Sequence, residues 1–167
     1  MKLKASLLMA AMLATGTLAM PLAVQAAEQV TIKQVAGVPA DFIKGADVSM
    51  LAEVEKHGGK YYDEKGVEKD AMLILKENGF NYIRLRIWND PKDTAGNGYG
   101  GGNNDLATTI ALAKRAKANG MKFLLDSHYS DFWTDPGRQN KPKAWATMNI
   151  EQMTAALHDY TKCTVAE

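Results

Sequence analysis

Leu124-Leu125-Asp126-Ser127-His128-Tyr129-Ser130-Asp131-Phe132-Trp133 opens as a short apolar run and closes in a dense set of charged, hydroxylic and aromatic groups. An apolar run entered from Gly120 and left into a loop has the pattern of a buried strand in a parallel sheet. Period-2 alternation places Asp126 and His128 on one face, with Leu125 and Ser127 on the other. In α/β sheets, ligand chemistry gathers where the strands end. Phe132, Trp133 and a further carboxylate, Asp131, follow in the loop. Flat apolar faces beside hydroxyl-binding polar groups suit a sugar. The competing reading is a satisfied core Asp126–His128 pair under a loop anchored by Phe132 and Trp133. The site reading is preferred, because so many polar groups at one strand end are costly to bury without a use.

Similar units lie upstream. Phe42 to Val48 is a short strand candidate ending at the carboxylate of Asp47, and Ser49 is placed to cap a brief helix over 50–57. Gly58-Gly59 stops that helix. A second helix is expected over about 67–78, with Ala71, Ile74 and Leu75 on its apolar face. Phe80 to Trp88 is the second strand, ended by Asn89-Asp90-Pro91. The Gly/Asn-rich loop that follows lacks the lysine and Ser/Thr of a phosphate loop. Asn104 or Asp105 starts the next helix, with Leu106, Ile110 and Ala113 facing the core. Met121 to His128 is the third strand, and a last helix begins near Asn149 with Met153, Ala156 and Leu157 on one side.

An internal repeat supports this order. Lys76-Glu77-Asn78-Gly79 and Lys117-Ala118-Asn119-Gly120 stand 41 residues apart, each leading into a strand. On that spacing Asp47, Trp88 and Tyr129 are equivalent, each just past a strand. Strand–loop–helix units at this interval imply right-handed crossovers, a parallel sheet and strand ends that share one rim.

Composition sets further bounds. Lys2 and Lys4, the apolar run Leu7 to Met20 and the small residues Val24 and Ala26 around Gln25 have the pattern of an export signal at 1–26, cleaved after Ala26. The run is too short and too broken to favour a membrane anchor. Setting aside Lys2 and Lys4 from the 20 basic residues leaves 18 against 19 acidic, a net charge of −1. That balance gives no electrostatic case for nucleic acid or an anionic membrane. Cys163 is the single cysteine, which excludes an internal disulfide and a cysteine-based metal cluster. The remaining 141 residues allow one ordinary domain. A complete eight-stranded βα barrel takes roughly 250.

Arg84-Leu85-Arg86-Ile87-Trp88 alternates, so both arginines and the tryptophan point one way. Two guanidinium groups in a buried strand call for carboxylate partners. Either one of them orients a catalytic carboxylate, or both belong to a structural ion-pair network; Trp88 is likewise a sugar platform or ordinary packing. A metal pair at Asp126-x-His128 lacks further ligands, since His57 and His158 fall in or beside helices. No G-x-S-x-G occurs to support a serine triad. Neither a metal nor a cofactor is expected.

Three longer segments resemble glycoside hydrolase family 53: Phe42-Ile43-Lys44-Gly45-Ala46-Asp47-Val48-Ser49, the run Tyr82 to Pro91, and His128 to Gly137 with Lys141-Pro142-x-Ala144-Trp145. The resemblance runs from about 41 to 162. It implies an endo-β-1,4-galactanase acting on galactan, an α/β fold of the (β/α)8 TIM-barrel type with about three βα units present, and a retaining mechanism with two glutamates. In that family the acid/base glutamate follows strand four and the nucleophile strand seven, so both are expected beyond residue 167 and no catalytic residue within the chain. Carried over, Asp47, Arg86, Trp88, Asn89, Asp126, His128, Asp131 and Trp133 are expected to bind substrate or orient the carboxylates. The expected organisation is a signal at 1–26, a leader at 27–40, a partial barrel at 41–162 and an atypical tail at 163–167. The tail, a weak helix former where the family continues helix, has the look of a frameshift or premature stop. Two classes stay open: a galactanase active only in complete form, or a noncatalytic product, either a remnant or at most a weak galactan binder. Either would be exported, to the periplasm or the exterior, and free of the membrane after cleavage.

Overall fold

Two helices end in Asn-Gly, and each hands the chain directly to a strand. The structure, a computed structural model, describes residues 35–166, all but the first four of which belong to one compact unit, Pro39–Glu167. The export signal expected at 1–26 lies outside the described residues, as does most of the 27–40 leader. In chain order the elements are β1 (Gly45–Asp47), α1 (Leu51–Lys56), α2 (Ala71–Glu77), β2 (Tyr82–Ile87), α3 (Leu106–Ala118), β3 (Lys122–Ser127), a 3-10 turn (Lys143–Trp145) and α4 (Ile150–Ala166). The side chains of Asn78 and Asn119 donate back to the carbonyls of Ile74 and Arg115, at 2.8 and 3.0 Å. Gly79 and Gly120 follow at φ +86° and +66°, the left-handed conformation that ends each helix.

The strands form one parallel sheet in the order β1-β2-β3. Ala46 pairs with Ile83, and Leu85 with Leu125. Alternation along β2 sends Ile83 and Leu85 toward the helices, where they join Leu51, Met72, Leu112, Ala116 and Met121 in the core. Arg84 and Arg86 lie on the opposite face. Outside the sheet, Arg115 of α3 donates to both oxygens of Glu55 at 2.7 Å and to Asp70 at 2.6 Å. Its planar fork therefore ties α3 to α1 and to the start of α2.

The helix starts depart from the periodicity in instructive ways. α2 begins at Ala71, four residues later than Val67, because Asp70 accepts the N–H groups of Met72 and Leu73 at 2.6 and 3.2 Å. Val67 and Glu68 are instead drawn into a small hairpin, in which Glu68 bridges Tyr62. Ser49 does not cap α1. It is fully buried, and its Oγ accepts the N–H of Arg86 at 2.9 Å. Asp105 caps α3 through Thr108, while the buried Asn104 donates to the carbonyl of Ser49 at 2.7 Å. Ser49 and Asn104 thus stitch the loop after β1 to β2 and to the approach of α3.

The core face of α3 is Thr109, Leu112, Ala113 and Ala116. Leu106 and Ile110, expected in the core beside Ala113, are half-buried and line a groove with Phe123, Leu125 and Val165. α4 runs on through Cys163 to Ala166, so the weak helix formers expected to mark an atypical tail do not end it. Among the described residues no helix is long and apolar enough to cross a membrane.

Candidate functional site

At the C-terminal edge of the sheet, on the face turned from the helices, polar side chains form a continuous chain. Arg84 donates to Oδ2 of Asp47 on one side and to Oδ2 of Asp126 on the other. The register permits this: Arg84 pairs with Asp47 across one ladder, and Asp126 lies on the same face of β3 two residues past Leu124, the partner of Arg84. Asp126 Oδ2 is also 3.1 Å from Nε2 of His128. Nδ1 of His128 in turn accepts the indole N–H of Trp88 at 2.9 Å. An indole only donates, so Nδ1 carries no proton and the neutral ring presents Nε2–H to Asp126. Burial works to raise the carboxyl of Asp47, but hydrogen bonds from Ser49, the charge of Arg86 and the bond from Arg84 outweigh it and hold the group below its ordinary value.

Beside this chain lies a set of rings. Trp88 is fully buried, so it is packing and not an open sugar platform. Around it stand Phe132, Trp133 and His128, with centroids at 5.1, 5.7 and 6.0 Å. Trp133 is the exposed member, 41% accessible. Its ring is stacked on the guanidinium of Arg86, whose carbon lies 3.9 Å from the ring centroid. Arg86 is buried and also donates to the carbonyl of Gly101 at 3.2 Å. Carboxylate pairing, expected for both arginines, is therefore found for Arg84, while Arg86 uses a ring and a carbonyl. Burial pulls the Arg86 guanidinium below its usual value, with Asp47 opposing the shift. Gly101 sits at φ +64°, and a Cβ there would lie 2.9 Å from both Trp133 Nε1 and Trp88 Cη2. Glycine is what lets this loop close against both rings.

The other expected contacts divide. Asn89 is half-buried at the same rim, its N–H donating to the carbonyl of Ser130 at 2.8 Å. Asp131 is not an open sugar contact: it is 8% exposed. Its oxygens accept the N–H groups of Asp90 and Lys143 at 3.0 and 2.8 Å, clamping two loops together. Asp47, Asp126, His128 and Trp133 thus share one rim with Arg86, while Trp88 and Asp131 support it from beneath. Sequence reasoning passed over Gly101, Lys143 and Tyr129. Tyr129 follows His128 at φ +50°, and its hydroxyl meets Oγ1 of Thr161 at 3.1 Å. The signal for Tyr129 was its place in the 41-residue repeat; Gly101 and Lys143 had none. A cleft of about 340 Å³ opens beside His128, lined by Tyr129, Gln139, Asn140 and Trp145 among others. Among the described residues, no three His, Cys, Asp or Glu side chains come together as a metal site.

The pattern of glycosyl hydrolase family 53 matches residues 43–167. The chain belongs to that family. The endo-beta-1,4-galactanase of Bacillus subtilis (strain 168) is 53% identical over 136 residues, covering 81% of this chain and 32% of the relative. The arabinogalactan endo-beta-1,4-galactanase A of Aspergillus niger is 41% identical over 118 residues, 71% of this chain and 31% of the relative. Among solved structures, the family 53 catalytic domain of Ignisphaera aggregans aligns with a TM-score of 0.79 at 51% identity, over 81% of this chain and 38% of the other. The chain spans about a third of the length of these curated relatives. Its three βα units are the N-terminal part of the family 53 (β/α)8 barrel. In that frame α1 to α3 belong to the outer layer, and the Asp47–Arg84–Asp126–His128 chain lies on the C-terminal rim where such barrels hold their sites.

Proposed function

We propose that this chain supplies the galactan-binding part of an endo-β-1,4-galactanase rim, with β-1,4-galactan as the polysaccharide bound. The observation that carries the proposal is Trp133: an exposed indole, held rigid by a buried guanidinium, beside the polar groups Asp126 and His128. A ring fixed before the ligand arrives loses little freedom on stacking against a sugar face. The carboxylates and the imidazole beside it are suited to hydroxyl groups.

Bond cleavage in this reading belongs to a retaining pair of glutamates placed on the same rim outside residues 43–167. The three strand ends carry Asp47, Asn89-Asp90 and Asp126-x-His128, with no glutamate among them. That same observation favours the second reading, a noncatalytic galactan binder. Export belongs to the proposal too: a signal at 1–26 cleaved after Ala26, a leader at 27–40 and the barrel portion from 41 onward, delivered to the periplasm or the exterior.

Electrophoresis through a native gel cast with β-1,4-galactan tests the reading. Retardation by galactan, lost in Trp133→Ala, is the expected result. Equal mobility with and without the polysaccharide would overturn it.

A further inference from the structure

Lys143, at the start of the 3-10 turn, is exposed along its side chain, 40% accessible, but its ammonium ends in an open cage of converging acceptors. Its Nζ lies 2.7 Å from the carbonyl of Asp90, 2.8 Å from the carbonyl of Lys92 and 2.8 Å from a carboxylate oxygen of Asp90. Three acceptors match the three protons of an ammonium group. Asp131 adds a carboxylate oxygen at 3.5 Å, and the ring of Tyr99 stands 5.4 Å away. All of the carbonyl partners belong to the loop after β2, whereas Lys143 ends the loop after β3. Its own N–H is bound by Asp131, which also takes the N–H of Asp90. The segment 132–142 is therefore pinned to the β2 loop at both of its ends.

Trp133 lies inside that pinned segment. Rings lead from the cage to it: Tyr99 against Phe132 at 6.0 Å, Phe132 against Trp88 at 5.1 Å, and Trp88 against Trp133 at 5.7 Å. The other wall of Trp133 is Gly101, in the loop whose start the ammonium holds. We propose that Lys143 is the positioning residue of the Trp133 platform, acting as a built-in cation that fixes the β2 and β3 loops against each other. An ammonium is a compact point charge whose donors rotate to meet converging acceptors, while a guanidinium is a flat fork. Charge alone at this place is therefore not enough; its shape matters.

The experiment labels the three tryptophans of the full chain with 5-fluorotryptophan and assigns Trp133 by its loss in Trp133→Phe. In Lys143→Met, the Trp133 fluorine resonance is expected to move toward that of free fluorotryptophan. Affinity for galactotetraose should fall by about tenfold. Lys143→Arg should not restore the resonance. A lysine analogue made by aminoethylating Lys143→Cys, in a Cys163→Ser background, should. An unmoved Trp133 resonance in Lys143→Met overturns the proposal, as does Arg restoring it as fully as the analogue. Should Lys143→Met fail to fold, Asp90→Ala removes the side-chain acceptor at the exposed side of the cage; the same resonance should then move less but in the same direction, and no movement overturns the proposal. The sugar arm alone rests on the galactan reading. Wild-type chain that ignores galactotetraose, with the resonance shift present, sinks that reading and supports the role of Lys143.

Discussion

Trp88 gives its indole N–H to Nδ1 of His128 across 2.9 Å, and the two rings meet edge-on with centroids 6.0 Å apart. The bond joins the ends of β2 and β3 and decides which imidazole nitrogen is free to serve the rim. Since Nδ1 is occupied as an acceptor, Nε2–H is left to point at Asp126. Long-range ¹H–¹⁵N spectra at neutral pH should show His128 as the single Nε2–H tautomer. In Trp88→Phe the indole donor is gone, and a mixture of tautomers should appear. An unchanged tautomer in that variant would assign the control to Asp126 alone.

Acid should loosen the molecule through aspartates that the fold holds ionised. For Asp47 and Asp70 burial opposes ionisation, yet Ser49 and the arginines in the one case, and Arg115 with the helix-start amides in the other, outweigh it. Both groups sit below the ordinary aspartate value of 3.8. A depressed folded value means stabilisation that is complete above the unfolded value and lost as pH falls through the folded one. Thermal midpoints should thus be flat from neutrality to about pH 5 and fall below about pH 4. Asp70→Asn should lower the midpoint at pH 7 and flatten its acid dependence; a variant with the wild-type acid limb would contradict this.

The core should respond to a single deletion at Leu85, which is fully buried between the helices and the sheet. Leu85→Ala is expected to destabilise by about 2–5 kcal/mol through lost burial and the cavity left behind. A urea titration against wild type measures it. A loss under about 1 kcal/mol would mean that the helices are not packed on β2 as described.

Much of this architecture was legible because it is local. Asn-Gly at 78–79 and 119–120 announces two helix ends whatever the rest of the chain does, and alternation alone separates Leu85 from Arg84 and Arg86. The pairing of Asp126 with His128 followed from the same period. What sequence did not disclose needs partners far along the chain. Ser49 looked like a cap, but a buried N–H of Arg86, 37 residues on, claims its hydroxyl. Asp131 looked like a sugar contact because nothing nearby in sequence reveals that Asp90 and Lys143 take its oxygens. Arg86 was expected to need a carboxylate; the ring of Trp133 supplies its face instead. Leu106 and Ile110 fit the helical period but front a groove and not the core, a difference of rotation about one helix axis.

That groove and the outer edge of β3 predict association. Among the described residues β3 pairs with β2 alone, and Phe123 and Leu124 are 40% and 45% exposed on its two faces. An open strand edge flanked by apolar side chains is a template for pairing with another chain. Light scattering behind size exclusion should find concentration-dependent assembly of the 167-residue chain. Leu124→Lys should shift it toward monomer. A wild-type chain that stays monomeric at high concentration would show the edge to be protected.

The last prediction separates binding from bond cleavage. A retaining glycosidase needs a proton donor at the leaving oxygen and a carboxylate nucleophile, about 5–5.5 Å apart. Asp47 and Asp126 are the rim carboxylates joined through one side chain, which makes them the pair to test. One guanidinium holds both, since Arg84 donates to each. A carboxyl kept below its ordinary value, as Asp47 is, lacks the proton that a general acid must give at neutral pH. Asp126 has Arg84 and Nε2–H of His128 on the same oxygen, which fits a positioning role in the rim network. A reducing-sugar assay of the 167-residue chain on β-1,4-galactan should therefore give no turnover above the uncatalysed background, although the polymer is bound. Missing catalytic groups typically remove several orders of magnitude in rate, so the result does not depend on a fine threshold. Clear hydrolysis, abolished by Asp126→Ala and kept in Trp133→Ala, would place the reacting carboxylate on this rim and refute its assignment to binding and orientation.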